Sequence, residues 1–420
     1  MDEATSTIGQ APVVEQAASL SETAPEQTRT YLHLLRAAAN MFRPEEFNRI
    51  APRLRSAPAG SKLASGAADG QAALGHRDQV WSRLSGDLDP IAATESIAYD
   101  FLARGGKYSR PFITLAVYDA LIGGKSTGAD GAAEISRFSD SVRRAAMSIE
   151  TFHKASLVHD DIEDDDAFRY GEETVHKKYG AATAINVGDY LIGLGYKLVS
   201  GERKALGAET VADILDCLAD AHLRLSEGQG AELLWRETAD RRLKPIDALN
   251  IYALKTAPAF EAALFLGARL AGPAEVYAEP IKHFARNLGV AFQILNDLGD
   301  WQQDDHNKLV AGGDILSGRP TVLWAIAIEG LPPAKQSELL SLIANNERSA
   351  EVRIEHVRQL YQEAGVFEKA NRLIEKHRQR AEQIAAAIAP AEFRTLLVYL
   401  IDSVLDAHQP ASPRSLTGVR

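Results

Sequence analysis

Cysteine is nearly missing from this chain of 420 residues. Cys217 stands alone, so no disulfide can close within the chain, and the sequence suits a reducing compartment. Long apolar runs are missing too. No stretch reaches the ~20 residues that a membrane-spanning helix needs, so no membrane segment is expected. Positive charge is in deficit: 46 Lys and Arg face 57 Asp and Glu, a formal net charge of −11. Nucleic acid or an anionic membrane surface is therefore a poor main partner. Any anionic substrate would need locally placed bases or metals. The opening Met1-Asp2-Glu3 has acid where a targeting peptide has a basic and then an apolar region, so no such peptide is expected and the protein reads as cytoplasmic. Hairpin signals and internal repeats are also lacking. What remains, 45% apolar and 25% charged, can build a sizeable core in one large or two ordinary domains.

Residues 1–27, rich in Ala, Ser, Thr, Glu, Pro and Gln, read as disordered. From Tyr31 to about Arg55, Leu32, Leu35, Ala38 and Phe42 recur at helical spacing, interrupted at Pro44 and Pro52. The Ala/Gly/Ser-rich stretch 57–76 reads as a flexible linker. From Asp78 onward helix follows helix: 80–104, 111–123, 133–162, 180–201, 207–235, 245–272, 276–301, 319–330, 333–345, 349–364, 366–388 and 390–408. The expected organisation is an N-terminal extension (1–77), an all-α domain (78–408) too long for a simple four-helix bundle, and a disordered tail (409–420).

The stretch Leu157–Gly171 organises the chemistry. Six of the seven residues from Asp160 to Asp166 are acidic. On a helix Asp160 and Asp164 stand one above the other and repel by roughly 0.2–0.5 kcal/mol. A structural helix gains nothing from that, whereas a hard divalent cation such as Mg2+ takes oxygen ligands and completes its shell with phosphate oxygens. The plain alternative is a solvated acidic helix end. Gly105-Gly106-Lys107-Tyr108-Ser109-Arg110-Pro111 joins two helices. Its glycines, its two bases and the following helix N-terminus make an anion cradle, or simply a helix C-cap followed by Pro. His153, seven residues before Asp160, lies on the same helical stripe, where a lone His is more often a satisfied core residue than a ligand contact. Arg169 is placed to clamp a metal-held phosphate or to pair with neighbouring acids.

Further along, Ser226–Glu232 carries glycines late in a helix, which permit close backbone approach. Lys255-Thr256 interrupts an otherwise apolar helix, the lysine either snorkelling to water or facing an anion. The second acidic cluster, Phe292-Gln293-Ile294-Leu295-Asn296-Asp297-Leu298-Gly299-Asp300, offers oxygen ligands at i, i+3 and i, i+4. A Gly/Asp-rich loop then leads to Asp314 and Arg319.

In this order the elements resemble the trans-prenyltransferases, the polyprenyl diphosphate synthases, over roughly residues 78–408. The match consists of GGKxxRP at 105–111, a His six residues before HDD, DDxxD at 160–164, Arg-Tyr-Gly at 169–171 and Gly-Asp at 188–189. GQxxE at 228–232, Lys-Thr at 255–256, FQxxNDxxD at 292–300 and DxxxGRPT at 314–321 complete it. The resemblance implies the isoprenoid synthase fold, a single large orthogonal helical bundle around a central active-site cavity, and a homodimer. It also implies about three Mg2+ ions, held by Asp160, Asp161 and Asp164 and by Asn296, Asp297 and Asp300. Arg169, Lys255 and Arg319 would grip the allylic diphosphate, and Lys107, Arg110 and His153 would hold isopentenyl diphosphate. Gln293 and the Thr256 hydroxyl would offer dipoles to the allylic cation.

Three positions depart from the pattern: Asn296 where an Asp is usual, Tyr170 where a second Arg is usual, and Arg319 where a Lys is usual. The first removes a negative charge and should weaken one metal site. Ala155 and Ser156, about one turn below Asp160, are too small to block a growing tail. Phe152, roughly 12 Å down the helix, could form its floor, which implies a twenty-carbon product. Two other readings use the same features. A terpene cyclase would not need Lys107, Arg110 and His153 together, and a non-catalytic partner subunit would lack the aspartate motifs.

Overall fold

The structure is a computed structural model that describes residues 30–51, 90–238, 240–301, 312–319, 321–344 and 349–405. The stretches read as disordered or linker (1–27, 57–76, 409–420), the start of the helix expected from residue 80 and the loop 302–311 lie outside these residues. The described chain is all-α apart from one two-residue ladder. It divides into two compact units: residues up to Asp216 with Leu266–Gly272, and Cys217–Phe265 with the rest from Pro273.

In the first unit α1 (Leu32–Asn40) and α2 (Pro44–Ile50) precede α3 (Pro90–Ala103), α4 (Ser109–Leu121), a 3-10 turn (Lys125–Thr127) and α5 (Gly131–Ser136). The long α6 (Asp140–Glu163) follows. The expected single helix 133–162 is thus two. Ser139 adopts extended backbone and its hydroxyl accepts from Val142 N at 3.3 Å, so it starts α6 as an N-cap rather than continuing α5. After α6 come β1 (Phe168–Arg169) and β2 (Glu172–Glu173), paired antiparallel in register Phe168 to Glu173. Tyr170 and Gly171 both take positive φ, 56° and 79°, as a two-residue hairpin turn matched to strand twist requires. No sequence signal announced this hairpin, because Tyr is an uncommon residue in such a turn. Helices α7 (Val175–Tyr179), α8 (Ala181–Ser200), α9 (Arg203–Leu206) and the first turns of α10 (Ala208–Glu237) complete the unit.

The principal contact of the first unit is α6 against α8. Two glycines on α8 make it possible. A Cβ at Gly188 would fall 2.2 Å from His159 Nε2, and one at Gly195 would fall 2.7 Å from the Phe152 ring. His159 and Phe152, seven residues apart on α6, therefore seat in two gaps seven residues apart on α8. Phe152 also meets Tyr196 edge to face, ring centroids 4.8 Å apart. The N-terminal helices belong to this core. Leu34, Met41, Phe42, Phe47 and Ile50 are buried, Phe42 stacks on Tyr108 at 5.0 Å, and Phe47 meets Tyr99 at 5.0 Å. The Arg144 guanidinium donates to the Ile50 carbonyl at 2.7 Å.

In the second unit the rest of α10 is followed by α11 (Pro245–Lys255), α12 (Ala257–Ala271, which re-enters the first unit at Leu266) and α13 (Glu275–Asp300). Then come α14 (Gly313–Ser317), α15 (Val322–Gly330), α16 (Pro333–Ala344), α17 (Ala350–Glu363), α18 (Val366–Ala387) and α19 (Ala391–Leu405). Helix α13 packs chiefly on α18, and α15 is buried from Val322 to Ile328. The helix expected over 245–272 breaks at Thr256, whose φ and ψ are −127° and −46°. Backbones crowd on both sides of the break. A Cβ at Gly228 would fall 2.8 Å from Lys255 N, and one at Gly289 3.0 Å from Ala257 N. No helix among the described residues is long and apolar enough to cross a membrane.

Phe42 joins the N-terminal helices to the loop before α4, and its removal leaves a cavity against Tyr108 and Phe47. Phe42→Ala is expected to lower unfolding free energy by about 3–5 kcal/mol, read from urea denaturation. An unchanged midpoint would show that residues 30–51 contribute nothing to the core.

Candidate functional site

The acidic motif lies at the C-terminal end of α6. Asp160 and Asp161 occupy its last turn and Asp164 is its C-cap. That is the negative end of the helix dipole, where each carboxylate is disfavoured by roughly 0.3–1 kcal/mol, and no basic residue lies in the last turn. Asp164 keeps right-handed helical backbone, so the i, i+4 relation to Asp160 survives, and both side chains are half-buried. Asp161 is turned inward. It is 1% exposed and its Oδ1 accepts from Arg169 Nε at 2.8 Å and from a second guanidinium nitrogen, while Arg169 also reaches Asp166 at 3.1 Å. Asp161 Oδ2 is buried with no hydrogen-bond partner among the described residues. The Arg169 clamp read from sequence is thus, in this state, an ion pair that ties the hairpin to α6.

Beside it the first unit gathers cations. Burial, then Arg110, Lys154 and Arg169, hold the half-buried His153 well below the usual imidazole range, so it is neutral at physiological pH. Burial lowers the Arg110 guanidinium, opposed by the nearby Glu150 carboxylate. Lys107, at the tip of the Gly105–Arg110 loop, is exposed. Arg110 and Arg169 therefore both lie within electrostatic reach of His153. Of the tail-contact candidates, Ala155 is fully buried. Ser156 is half-buried and donates to the His153 carbonyl at 2.9 Å. Phe152 is committed to α8. At 100° per residue it lies about 80° around the helix from Asp160.

In the second unit Lys255 neither snorkels nor stands alone. It ends α11 and pairs with Glu232 of the GQxxE motif, which Arg236 also holds. Thr256 sits in the helix break beside it. On α13, Asn296 is exposed and its amide donates to the half-buried Gln293 at 3.1 Å. Asp297 points the other way. It is 6% exposed and accepts from the Tyr252 hydroxyl, which in turn accepts from Val322 N at 2.7 Å. Burial pushes the Asp297 carboxyl well above its ordinary value. Asp300 accepts from Asp314 N at 3.2 Å, and the Arg319 guanidinium lies 3.5 Å from Asp314. Burial and then Asp300 raise Asp314 to about 6.

Sequence reasoning passed over Tyr252, which bridges α13 to the start of α15, and Lys154, a basic residue inside an apolar helix face. A lysine in Phe-His-Lys-Ala-Ser-Leu was the only available signal for the second. For Tyr252 there was none, since its partners are 45 and 70 residues away.

The family model described as polyprenyl synthetase matches residues 92–363, well over half of the chain. The chain belongs to that family. It is thereby a prenyltransferase of the trans-prenyl diphosphate synthase type. A geranylgeranyl diphosphate synthase of Sulfolobus acidocaldarius is 30% identical over 275 residues, 65% of this chain and 78% of the relative. A geranylfarnesyl diphosphate synthase of Aeropyrum pernix is 30% identical over 309 residues, 73% of this chain and 91% of the relative. The crystal structure of a polyprenyl synthase from Caulobacter crescentus CB15, complexed with calcium and isoprenyl diphosphate, aligns with TM-score 0.62 at 26% identity. It covers 80% of this chain and 94% of that one. The fold is the all-α isoprenoid synthase fold.

Mg2+ fits the residues present. The donors are oxygens throughout, and the buried Asp161 Oδ2 lacks a partner among the described residues. No group of three or more His, Cys, Asp or Glu among the described residues is arranged to hold a metal alone. One or two carboxylates completed by substrate phosphates is the usual magnesium arrangement.

Tyr252→Phe removes a donor from Asp297 and an acceptor from Val322 N, both buried. A loss of about 1–3 kcal/mol in unfolding free energy is expected, and an unshifted urea midpoint would contradict the bridge. Asp314 supplies a pH test. Its folded value near 6 exceeds the unfolded one, so the folded state binds more protons between about pH 4 and 6 and stability falls as pH rises through that window. Metal-free Asp314→Asn should lose this dependence, gaining up to about 3 kcal/mol above pH 6. Parallel melting curves of the two proteins from pH 4 to 7 would refute it.

Proposed function

We propose that this enzyme condenses isopentenyl diphosphate with an allylic diphosphate to give a longer trans-prenyl diphosphate, with geranylgeranyl diphosphate (C20) as product. The observation that carries the reading is the grouping of Arg110, neutral His153 and Arg169 in the first unit. They lie on or near α6, whose C-terminal end is loaded with carboxylates at the negative end of the helix dipole. Cations and a neutral imidazole suit a diphosphate, and excess carboxylate at a negative helix end suits Mg2+.

Asp160, Asp161 and Asp164 would hold Mg2+, and Asn296 and Asp300, with Asp297 behind them, a further ion. Bound Mg2+ supplies the charge neutralisation that lets a diphosphate depart. Lys107, Arg110 and His153 orient isopentenyl diphosphate, and Arg169, Lys255 and Arg319 serve the allylic diphosphate. The allylic C–O bond breaks with its electron pair leaving on diphosphate, and the double bond of isopentenyl diphosphate attacks the cation. The new bond forms as a proton passes to the released diphosphate, so no protein base is needed. Gln293 and the Thr256 hydroxyl present dipoles to the cation. Arg169 must exchange part of its hold on Asp161 for substrate phosphate, which frees Asp161 toward the metal.

For product length, the fully buried Ala155 adds no bulk along the tail. Phe152, braced on Tyr196 and seated over Gly195, is assigned as the floor. We assign the working form as a cytoplasmic homodimer.

Labelled isopentenyl diphosphate, offered with each allylic starter over a Mg2+ titration, should yield a twenty-carbon product, and Phe152→Ala should lengthen it. Absence of any prenyl product at every Mg2+ concentration would overturn the assignment. Release of hydrocarbon from geranylgeranyl diphosphate alone would favour a cyclase.

A further inference from the structure

Lys154 has no part in the roles above, yet it is a charged group with 0% exposure. Its ammonium donates to the Arg104 carbonyl at 2.7 Å and to the Gly105 carbonyl at 2.5 Å. It lies 4.2 Å from the Tyr170 ring centroid, 5.4 Å from that of Phe101 and 5.8 Å from that of Tyr108. Glu150, one turn below it on α6, is 2% exposed, and its Oε2 has no hydrogen-bond partner among the described residues. An ammonium so deeply placed costs several kcal/mol unless compensated. Two carbonyls, three ring faces and a buried carboxylate compensate it. Burial lowers its pKa to about 8, with Glu150 opposing.

The geometry has a consequence for the loop above. In a trans peptide, C=O and N–H point in opposite directions. Drawing the Arg104 and Gly105 carbonyls down to one cation therefore turns the N–H groups of Gly105 and Gly106 away from it. Successive N–H groups turned to one side make an anion-binding concavity. Tyr170 caps the same turn. A Cβ at Gly106, whose φ is +140°, would fall 3.4 Å from the Tyr170 hydroxyl and 3.6 Å from Lys154 Nζ, ordinary contact distances, so the positive φ rather than the space is what calls for glycine in this turn. Lys107 and Arg110 follow it directly.

We propose that Lys154 is a positioning residue, which sets the Gly105 and Gly106 peptide planes so that their N–H groups cradle the diphosphate of isopentenyl diphosphate. The assignment of that ligand rests on the proposed function; the assignment of the loop's shape does not. The experiment pairs two readouts on the full chain, wild type beside Lys154→Met and Lys154→Arg. Without substrate, amide exchange at Gly105–Lys107 should quicken on the order of tenfold in Lys154→Met, with Lys154→Arg closer to wild type. In turnover, KM for isopentenyl diphosphate should rise on the order of tenfold in Lys154→Met while kcat and the allylic KM stay within about twofold. Unchanged exchange in the loop overturns the proposal. So does an equal rise of both KM values, which would mark a general loss of structure. A wild-type protein without prenyl transfer defeats the proposed function, and the exchange comparison then still decides the role of Lys154.

Discussion

Helix α6 can lie close against α8 only because Gly188 and Gly195 leave room for His159 and Phe152, and that contact sets where every other side chain on α6 points. With one stripe locked into α8, Asp160, Asp164 and His153 stay on a half-buried face, and Asp161, Lys154 and Glu150 are carried into the interior. The same helix therefore serves as packing rod and as carrier of charge. A rotation of one residue, about 100°, would bury the carboxylates and expose the core.

Charge is kept inside the units by pairing, and the pairing is uneven. Asp161 is met by Arg169, Glu232 by Lys255 and Arg236, and Asp297 by a neutral hydroxyl whose donated hydrogen bond only partly opposes the rise in its pKa that burial causes. Breaking such a pair leaves a buried charge uncompensated and costs more than the pair contributes. The acidic end of α6 has no base in its last turn. Arg169 and Lys177 meet Asp161, Asp166 and Asp165 from outside the helix, and a bound cation would add to that offset, which ties an unfavourable helix end to ligand binding.

Most of the helices were legible in advance, because apolar periodicity is a local property. The bounds expected for 180–201, 207–235, 276–301 and 366–388 differ from the observed ones by two residues or fewer at each end. The misreadings have separate causes. Ser139 competes for backbone hydrogen bonds and splits one helix. Thr256 sits where two glycines on other helices admit close backbones, and Tyr170-Gly171 turns a hairpin that Tyr does not advertise. The N-terminal helices were seen as helices but not as core, since their partners Tyr99, Tyr108 and Phe112 lie far along the chain.

By its own composition and spacing the chain determined its helical character, its acidic and basic motifs and, through them, its family. Tertiary structure alone decided which carboxylates stand outward and which are held by Arg169 or Tyr252. It alone placed a lysine beneath the Gly105–Gly106 turn. The reason is directional: spacing says which residues share a helix face, but only the neighbouring helices decide whether that face meets water, a partner charge or the core.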